Sequence, residues 1–341
     1  MKTSKLINST TTAAAITLLF AFQSNADGAD ATELPEVAVI NEIQTIRQAD
    51  LLKLSEPFVV NGDTRFDGWF IKTDRLVFEP GAKLTFSAQA LDRRRNFFII
   101  ARDIVVRDPA NPGTITYEKP PTATASAKPG QGPTGTHGPA DGNPGGTGGG
   151  GETGVPGATG FASPSITIAT LNVPSSGPHV DLTGGTGGQG GQGQKGGDGG
   201  NGRKGTPASS SFFDCKAGGG RGGNGGTGGR GGDGGVAGTG GSGGTVTILS
   251  SASLLPSLSQ KFRVTVSSGQ PGSPGAPGIG GRGGAAGPGG QEAKPYCGGG
   301  PAGSPGSVGS SGANGQAGSP GTDGDFFVGI VDKNHFPTVF D

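Results

Sequence analysis

Residues 184–205, GGTGGQGGQGQKGGDGGNGRKG, carry glycine at every third position without a break, and most triplets add a second glycine. The same phase runs through residues 219–244, 269–290 and 300–324, with a shorter stretch at 142–160. A flexible linker has no reason to hold phase for so long. Collagen requires the same spacing, because only glycine fits the axis of the triple helix. Residues 184–205 contain no proline, however, the second glycine of each triplet gives up a stabilising position, and every run stops after about eight triplets. The remaining candidate is a polyproline-II-type chain, with three residues per turn, a rise of ~3.1 Å per residue and no internal hydrogen bonds. Each of its faces recurs every third residue, so a face against a neighbouring backbone must be glycine. Packed side by side, such chains satisfy one another's N–H and C=O groups, as buried backbone requires, with Cα–H···O contacts adding weakly.

Between these tracts lie short β-branched and aromatic runs that read as strands. They are PFVVNG (57–62), DGWFIKTDRLVFEPGAKLTFS (67–87), NFFIIARDIVV (96–106), GTITYE (113–118), SITIATLNV (165–173), HVDLT (179–183), TVTILSS (245–251), KFRVTVSS (261–268) and DFFVGIV (325–331). Their order repeats: one strand, a short link, a second strand, then a long glycine or proline excursion. FFIIA with ITYE, SITIA with HVDLT, and TVTIL with FRVTV spell three such units, and FFVGIV opens a fourth. Each unit reads as one turn of a stack. DRLVFEPGAKLTF and NFFIIARDIVV resemble rungs of right-handed parallel β-helices, in which insertions leave from the corners. Residues 36–54, with Ile40, Ile43, Arg47, Leu51 and Leu54 near helical spacing, suit an amphipathic cap on the first coil.

The interruptions within the glycine tracts define hairpins. TPASSSFFDCKAG (206–218) and QEAKPYCGG (291–299) each separate two runs, and each carries one cysteine. Hairpin two goes out along 184–205 and back along 219–244, and hairpin three goes out along 269–290 and back along 300–324. Hairpin one, less regular, leaves along 119–138, turns near 139–141 and returns to 160. Six rods result. Hairpin two is mostly Gly-Gly-X whereas hairpin three is mostly Gly-X-Y, and more glycine faces mean more touching neighbours, so hairpin two is expected in the middle. Stacked coils repeat at ~4.8 Å, close to the spacing that backbone hydrogen bonds impose on adjacent glycine rods. Cys215 and Cys297 then fall at neighbouring tips, where a disulfide is expected to add about 2–4 kcal/mol.

Composition fits a secreted chain with little conventional core. Hydrophobic residues make up 30% of the 341 positions, and 74 are glycine. Lys2 and Lys5, the apolar stretch 13–22 and the small residues Ser24 and Ala26 form a secretory signal too short to span a bilayer. The product is expected outside the cytoplasm, as a periplasmic, secreted or surface-attached protein with no transmembrane segment, and an oxidising compartment favours the disulfide. Lys and Arg together number 26, as do Asp and Glu, so no bulk field selects nucleic acid or an anionic membrane.

The phased glycines and paired rods of residues 119–325 resemble the polyglycine rod bundle of the snow flea antifreeze protein. They are also similar to the receptor-binding adhesins on long tail fibres of T-even-type phages, where loops at the rod tips hold the host. The resemblance implies a six-rod polyglycine-II fold whose surface or tips carry the function.

Other motifs point to little chemistry. GGRGGD (228–233) starts like a calcium-binding nonapeptide, but the required large aliphatic is Gly235 and no tandem copy follows. RGG at Arg221, Arg230 and Arg282 lacks the interleaved aromatics of RNA-binding tails. Residues 240–244 match the string of a nucleophile elbow, yet precede a strand instead of joining strand to helix. His137, His179 and His335 are scattered without metal-ligand spacing. Arg93, Arg94 and Arg95 with Asp103 and Asp108 form the dense charge cluster where a polysaccharide-degrading enzyme would sit, or else a solvated loop. No catalytic, cofactor or metal residue is assigned.

The tips are different. Phe212, Phe213 and Lys216 beside Cys215, with Lys294 and Tyr296 beside Cys297, either pack the turns or form a contact surface for a glycan or a surface receptor. The domain reading is a signal at 1–26, a cap segment at 27–55, coils at 56–118, hairpin one at 119–164, a coil at 165–183, hairpin two at 184–244, a coil at 245–268, hairpin three at 269–324 and a C-terminal strand at 325–341. The whole reads as an all-β protein, a small right-handed parallel β-helix bearing three glycine-rich hairpins. Its expected function is non-enzymatic, structural or adhesive. The alternatives are ice binding, for which Ser304, Ser307, Ser310 and Ala313 with Ala302, Ala317 and Thr322 would form a flat face of small side chains, and polysaccharide degradation.

Overall fold

In a computed structural model, residues 57–330 are described except 124, 126, 128 and 129. The expected signal, the cap segment and the residues beyond 330 lie outside them. The described residues are all-β, mostly parallel strands with two short helices. The chain alternates between two sheets. Strands β1 (Phe58–Val60), β3 (Phe70–Phe78), β5 (Asn96–Val106), β7 (Ser165–Asn172), β11 (Val246–Ser250) and β13 (Phe326–Ile330) line up in that order in the first sheet. The second holds β2 (Asp63–Phe66), β4 (Lys83–Phe86), β6 (Thr114–Tyr117), β8 (His179–Asp181) and β12 (Val264–Thr265), again in chain order.

Parallel registry places like on like. Ile71, Ile99, Ile168, Ile248 and Val328 form one continuous ladder across the first sheet. Leu84, Ile115, Val180 and Val264 form its counterpart in the second. Both feed one apolar core, in which the Phe86 and Phe97 rings stack with centroids 4.1 Å apart. Burial lapses at Asp74 and Arg75 in β3 and at Arg102 in β5. There the strands expose polar residues that pair from one strand to the next, Arg102 with Asp74 at 3.2 Å and Arg75 with Asp103 at 3.6 Å.

The two helices fill bends. Helix α1 (Ala88–Arg93) is capped by Ser87, whose Oγ accepts the Ala90 N–H. Helix α2 (Leu255–Lys261) starts at a proline and ends with Lys261, whose Nζ donates to the carbonyls of Val173 and Ser175.

The glycine runs leave the second sheet and return to the first. Numbered in chain order, they are run 1 (130–138), run 2 (142–163), run 3 (184–205), run 4 (219–244), run 5 (269–290) and run 6 (300–324). Donors recur every third residue. Runs 1, 3 and 5 form a parallel row, with Gly135 donating to Asp198 O and Gly187 to Gln270 O. Runs 2, 4 and 6 form a second row, with Gly148 donating to Thr227 O and Gly225 to Ser304 O. Antiparallel bonds join the rows, among them Gly188 to Ala158 O, Gly229 to Gly197 O, Gly281 to Gly229 O and Gly309 to Gly281 O. Run 3 thus bonds to runs 1, 2, 4 and 5, and run 4 to runs 2, 3, 5 and 6, so hairpin two has the most neighbours.

The rows continue the sheets. Along β8 and beyond, the N–H groups of Val180, Leu182 and Gly184 donate to Arg263, Thr265 and Ser267, a step of two residues. From Gly184 the donors become Gly187 and Gly190, a step of three. At this root Arg95 lies over the Phe161 ring at 4.1 Å and donates to Ala162 O, while Tyr117 Oη donates to Thr183 O. Strand β6 and the roots of runs 2 and 3 are thereby held together.

Candidate functional site: the tied tips and the faces of the runs

Six backbone runs with few side chains offer two kinds of surface, their ends and their flat faces. At the end of hairpin two, β9 (Ser209–Ser210) and β10 (Cys215–Ala217) pair antiparallel. The turn between them closes by the Ser211 N–H on Asp214 O, and Asp214 Oδ1 accepts the Cys215 N–H. This leaves Phe212 and Phe213 at the apex, 91% and 87% exposed, with ring centroids 6.3 Å apart. They do not pack the turn.

At the end of hairpin three, Ala293 and Cys297 exchange both backbone hydrogen bonds around the turn that presents Tyr296, 45% exposed, and Lys294, which pairs with Glu292 at 2.9 Å. A disulfide joins Cys215 and Cys297, their Cα atoms 5.0 Å apart. Backbone bonds from Ala208 to Gln291 O and from Gly219 to Gly298 O reinforce it. Phe212, Phe213, Lys216, Lys294 and Tyr296 therefore share one end of the molecule. Within the two tip segments, 206–218 and 291–299, the side chains of Asp214 and Glu292 balance those of Lys216 and Lys294. Reduction, or Cys215→Ala with Cys297→Ala, is expected to cost about 2–4 kcal/mol. It should release amide protection at residues 209–217 and 293–297 while leaving run 4 protected, as hydrogen exchange would read.

The faces carry the third residue of each triplet. Across runs 2, 4 and 6 these side chains align at a separation of 80 residues: Thr239 with Thr159, Ser307 with Thr227, and Thr322 with Ser242. Ser304, Ser307, Ser310, Ala313 and Thr322 belong to this face, whereas Ala302 and Ala317 point along the outer flank of run 6, so the set expected as one flat surface is divided. Arg230 and Asp233, bonded to each other, interrupt the face in its middle.

A second device was not foreseen from the sequence. Asn224 and Asp233 accept the backbone N–H of Ser304 and Ala313 on the next run, and Asp198 and Asn201 accept those of Arg282 and Ala285. Asp323 accepts the Ser268 N–H. Aspartate or asparagine at the third position, beside a non-proline residue one rod on, is its signal. These bonds favour the carboxylate. The Arg282 amide and then Lys195 lower the pKa of Asp198, the Ala313 amide and then Arg230 lower that of Asp233, and the Ser268 amide lowers that of Asp323. A depressed folded value means that the unfolded chain takes up protons first, so this stabilisation is complete above the ordinary carboxylate pKa of ~3.9 and is lost as the pH falls below it. Carboxyl-carbon NMR is expected to show all three titrating below the ordinary aspartate value of ~3.9, and a titration at or above that value would contradict the clamps.

The charge cluster singled out for an enzyme is dispersed. Arg94 lies over Trp69, Arg95 over Phe161, Asp103 holds Arg75 and Asn172, and Asp108 caps Ala110 N. A shallow recess of about 440 Å³ lined by Asp92, the three arginines and Asn96 contains neither Asp103 nor Asp108. His137 Nδ1 accepts the Asn201 N–H and His179 Nε2 meets Thr265 Oγ1, while His335 lies outside the described residues. Among the described residues no three His, Cys, Asp or Glu side chains converge, and no helix is long and apolar enough to cross a membrane.

No family model matches the chain, and no curated protein does. Among solved structures, the chain is similar to the springtail antifreeze protein from Granisotoma rainieri, described as a nine polyproline type II helical bundle. The identity is 23%, covering 57% of this chain and 96% of that one, with a TM-score of 0.10.

Proposed function

We propose that this is a non-enzymatic extracellular protein, structural or adhesive, in which a right-handed parallel β-helix carries a six-rod polyglycine-II bundle and presents its tips to a glycan or surface receptor. The alternation of the chain between two sequentially ordered parallel sheets supports the β-helix, and backbone bonding at every third residue supports the bundle. The observation that carries the functional reading is the exposed Phe212 and Phe213 pair on a turn tied by a disulfide to its neighbour. Aromatic surface held rigid at the far end of a stiff rod loses little conformational freedom on contact. A glycan and cell-surface binding screen of the intact protein is expected to give binding that Phe212→Ser, Phe213→Ser and Tyr296→Ser together abolish. Binding that survives the triple variant sinks the tip reading.

Ice binding is the second reading, favoured by the aligned hydroxyls of runs 2, 4 and 6. It predicts thermal hysteresis that Thr227→Lys removes and the tip variant leaves intact.

A further inference from the structure

The chain has four Asn-Gly steps, at Asn61-Gly62, Asn201-Gly202, Asn224-Gly225 and Asn314-Gly315. In this dipeptide the asparagine side chain is most open to attack by the next backbone nitrogen, because glycine puts no Cβ in the way. All four asparagines are exposed, so solvent access does not separate them. Their backbone partners do.

On run 3 the Gly202 N–H donates to Ala285 O at 2.9 Å, while Asn201 Oδ1 accepts the Ala285 N–H at 2.9 Å. One residue of run 5 thus holds both groups that would react. Run 4 repeats the arrangement with run 6: the Gly225 N–H donates to Ser304 O, and Asn224 Oδ1 accepts the Ser304 N–H. Run 6 has half of it. The Gly315 N–H donates to Gly275 O at 3.0 Å, but Asn314 lies on the outer flank, where its side chain accepts no such N–H among the described residues.

Asn61 has neither restraint. It stands in the bend between β1 and β2, where Gly62 bonds through its oxygen to the Lys83 N–H, and the Gly62 N–H meets no backbone carbonyl among the described residues. Gly62 has a φ of +59°, and a Cβ built on it would find no atom within 4 Å. The bend therefore has room for the side chain to close on the backbone.

We propose that Asn61 is the site at which this protein modifies itself spontaneously, and that runs 5 and 6 shield Asn201 and Asn224 from the same reaction. The Gly62 nitrogen attacks Asn61 Cγ, so that a Cγ–N bond forms and the Cγ–Nδ2 bond breaks. Ammonia leaves with the proton of the Gly62 N–H, and water opens the resulting cyclic imide at either carbonyl, to aspartate or isoaspartate. Isoaspartate adds one carbon to the backbone. A bend between strands absorbs that, whereas a run bonded at every third residue would lose its step beyond the insertion. A run must open locally before its Asn-Gly step can react, so the rate there falls with the population of the open form.

The test incubates the intact chain in mildly alkaline buffer and reads each amide-to-acid conversion by peptide mass spectrometry. Asn61 is expected to convert at least roughly tenfold faster than Asn201 and Asn224, with Asn314 between them. In denaturant the four rates should converge. Asn201 or Asn224 keeping pace with Asn61 in the folded chain overturns the proposal, and so does a difference that survives denaturant. Ala285→Pro removes the N–H held by Asn201 while suiting the backbone of run 5, where Pro288 already stands one triplet on. It is expected to raise conversion at Asn201 towards that at Asn314 and to leave Asn224 unchanged. An unchanged Asn201 overturns the part of the side-chain clamp in the shielding.

Discussion

Gly229→Ala is expected to destabilise the protein by about 2–3 kcal/mol, a cost of overpacking, and to do so without touching the strand core. Its added Cβ would stand 1.9 Å from the Gly149 oxygen, and backbone cannot swing aside as a flexible side chain can. The residue also donates to Gly197 O and accepts from Gly281, so moving it disturbs runs 2, 3 and 5 together. Gly150→Ala is the matched control: the nearest atom to its Cβ is the Arg230 oxygen at 3.8 Å, and the change is expected to stay within about 0.5 kcal/mol. Hydrogen exchange on both variants, with a melting curve for each, checks the pair. The expected pattern is lost protection along runs 2–5 in the first, with the ladder from Ile99 to Ile248 still protected. Equal melting temperatures would mean that glycine here reflects chain flexibility and not contact.

The second large effect is expected from Phe97→Ala. The ring is fully buried and stacked on Phe86 within 7° of parallel, so its removal leaves a cavity where both sheets meet and should cost about 3–5 kcal/mol. Unlike the glycine variant, this one is expected to lower protection in the strands and the runs together, because the rows of runs are extensions of the sheets. A variant that loses the strands and keeps the runs would show the glycine half to be an independent unit.

What the sequence made legible follows from how strongly each element depends on local composition. The β-branched runs that became β5, β7 and β11 announce themselves, because strands buried on both faces need unbroken apolar stretches. The three-residue step of the backbone donors was equally plain, since glycine recurs at that spacing along the runs. Strand β2 was not read: Asp63 and Arg65 are exposed and only Phe66 carries apolar bulk, so nothing distinguishes it from a loop before the neighbouring strand is known. The helices escaped for the opposite reason. Ser87 and Pro256 are ordinary helix-start signals, but both helices occupy bends of six or seven residues, too short for periodicity to show. At the candidate site, the tip cysteines and aromatics could be named from their place between two runs. The aspartate clamps could not, because each needs to be matched with an amide 55 to 84 residues away in the chain.

A repeat of three residues has a weakness that the two ends of this molecule address. Sliding one rod past another by a full triplet restores nearly every backbone bond, so a stack of such rods alone would have many settings of almost equal energy. Here Ile168 faces Ile248 and Thr159 faces Thr239 at one and the same offset, and the sulfurs at the far end fix it again. The strands act as a ruler whose graduations are side chains, and the rods, which have too few side chains to count for themselves, inherit the measurement. Cut free of that ruler, the same glycines would still associate, but as a population of misaligned isomers instead of one shape.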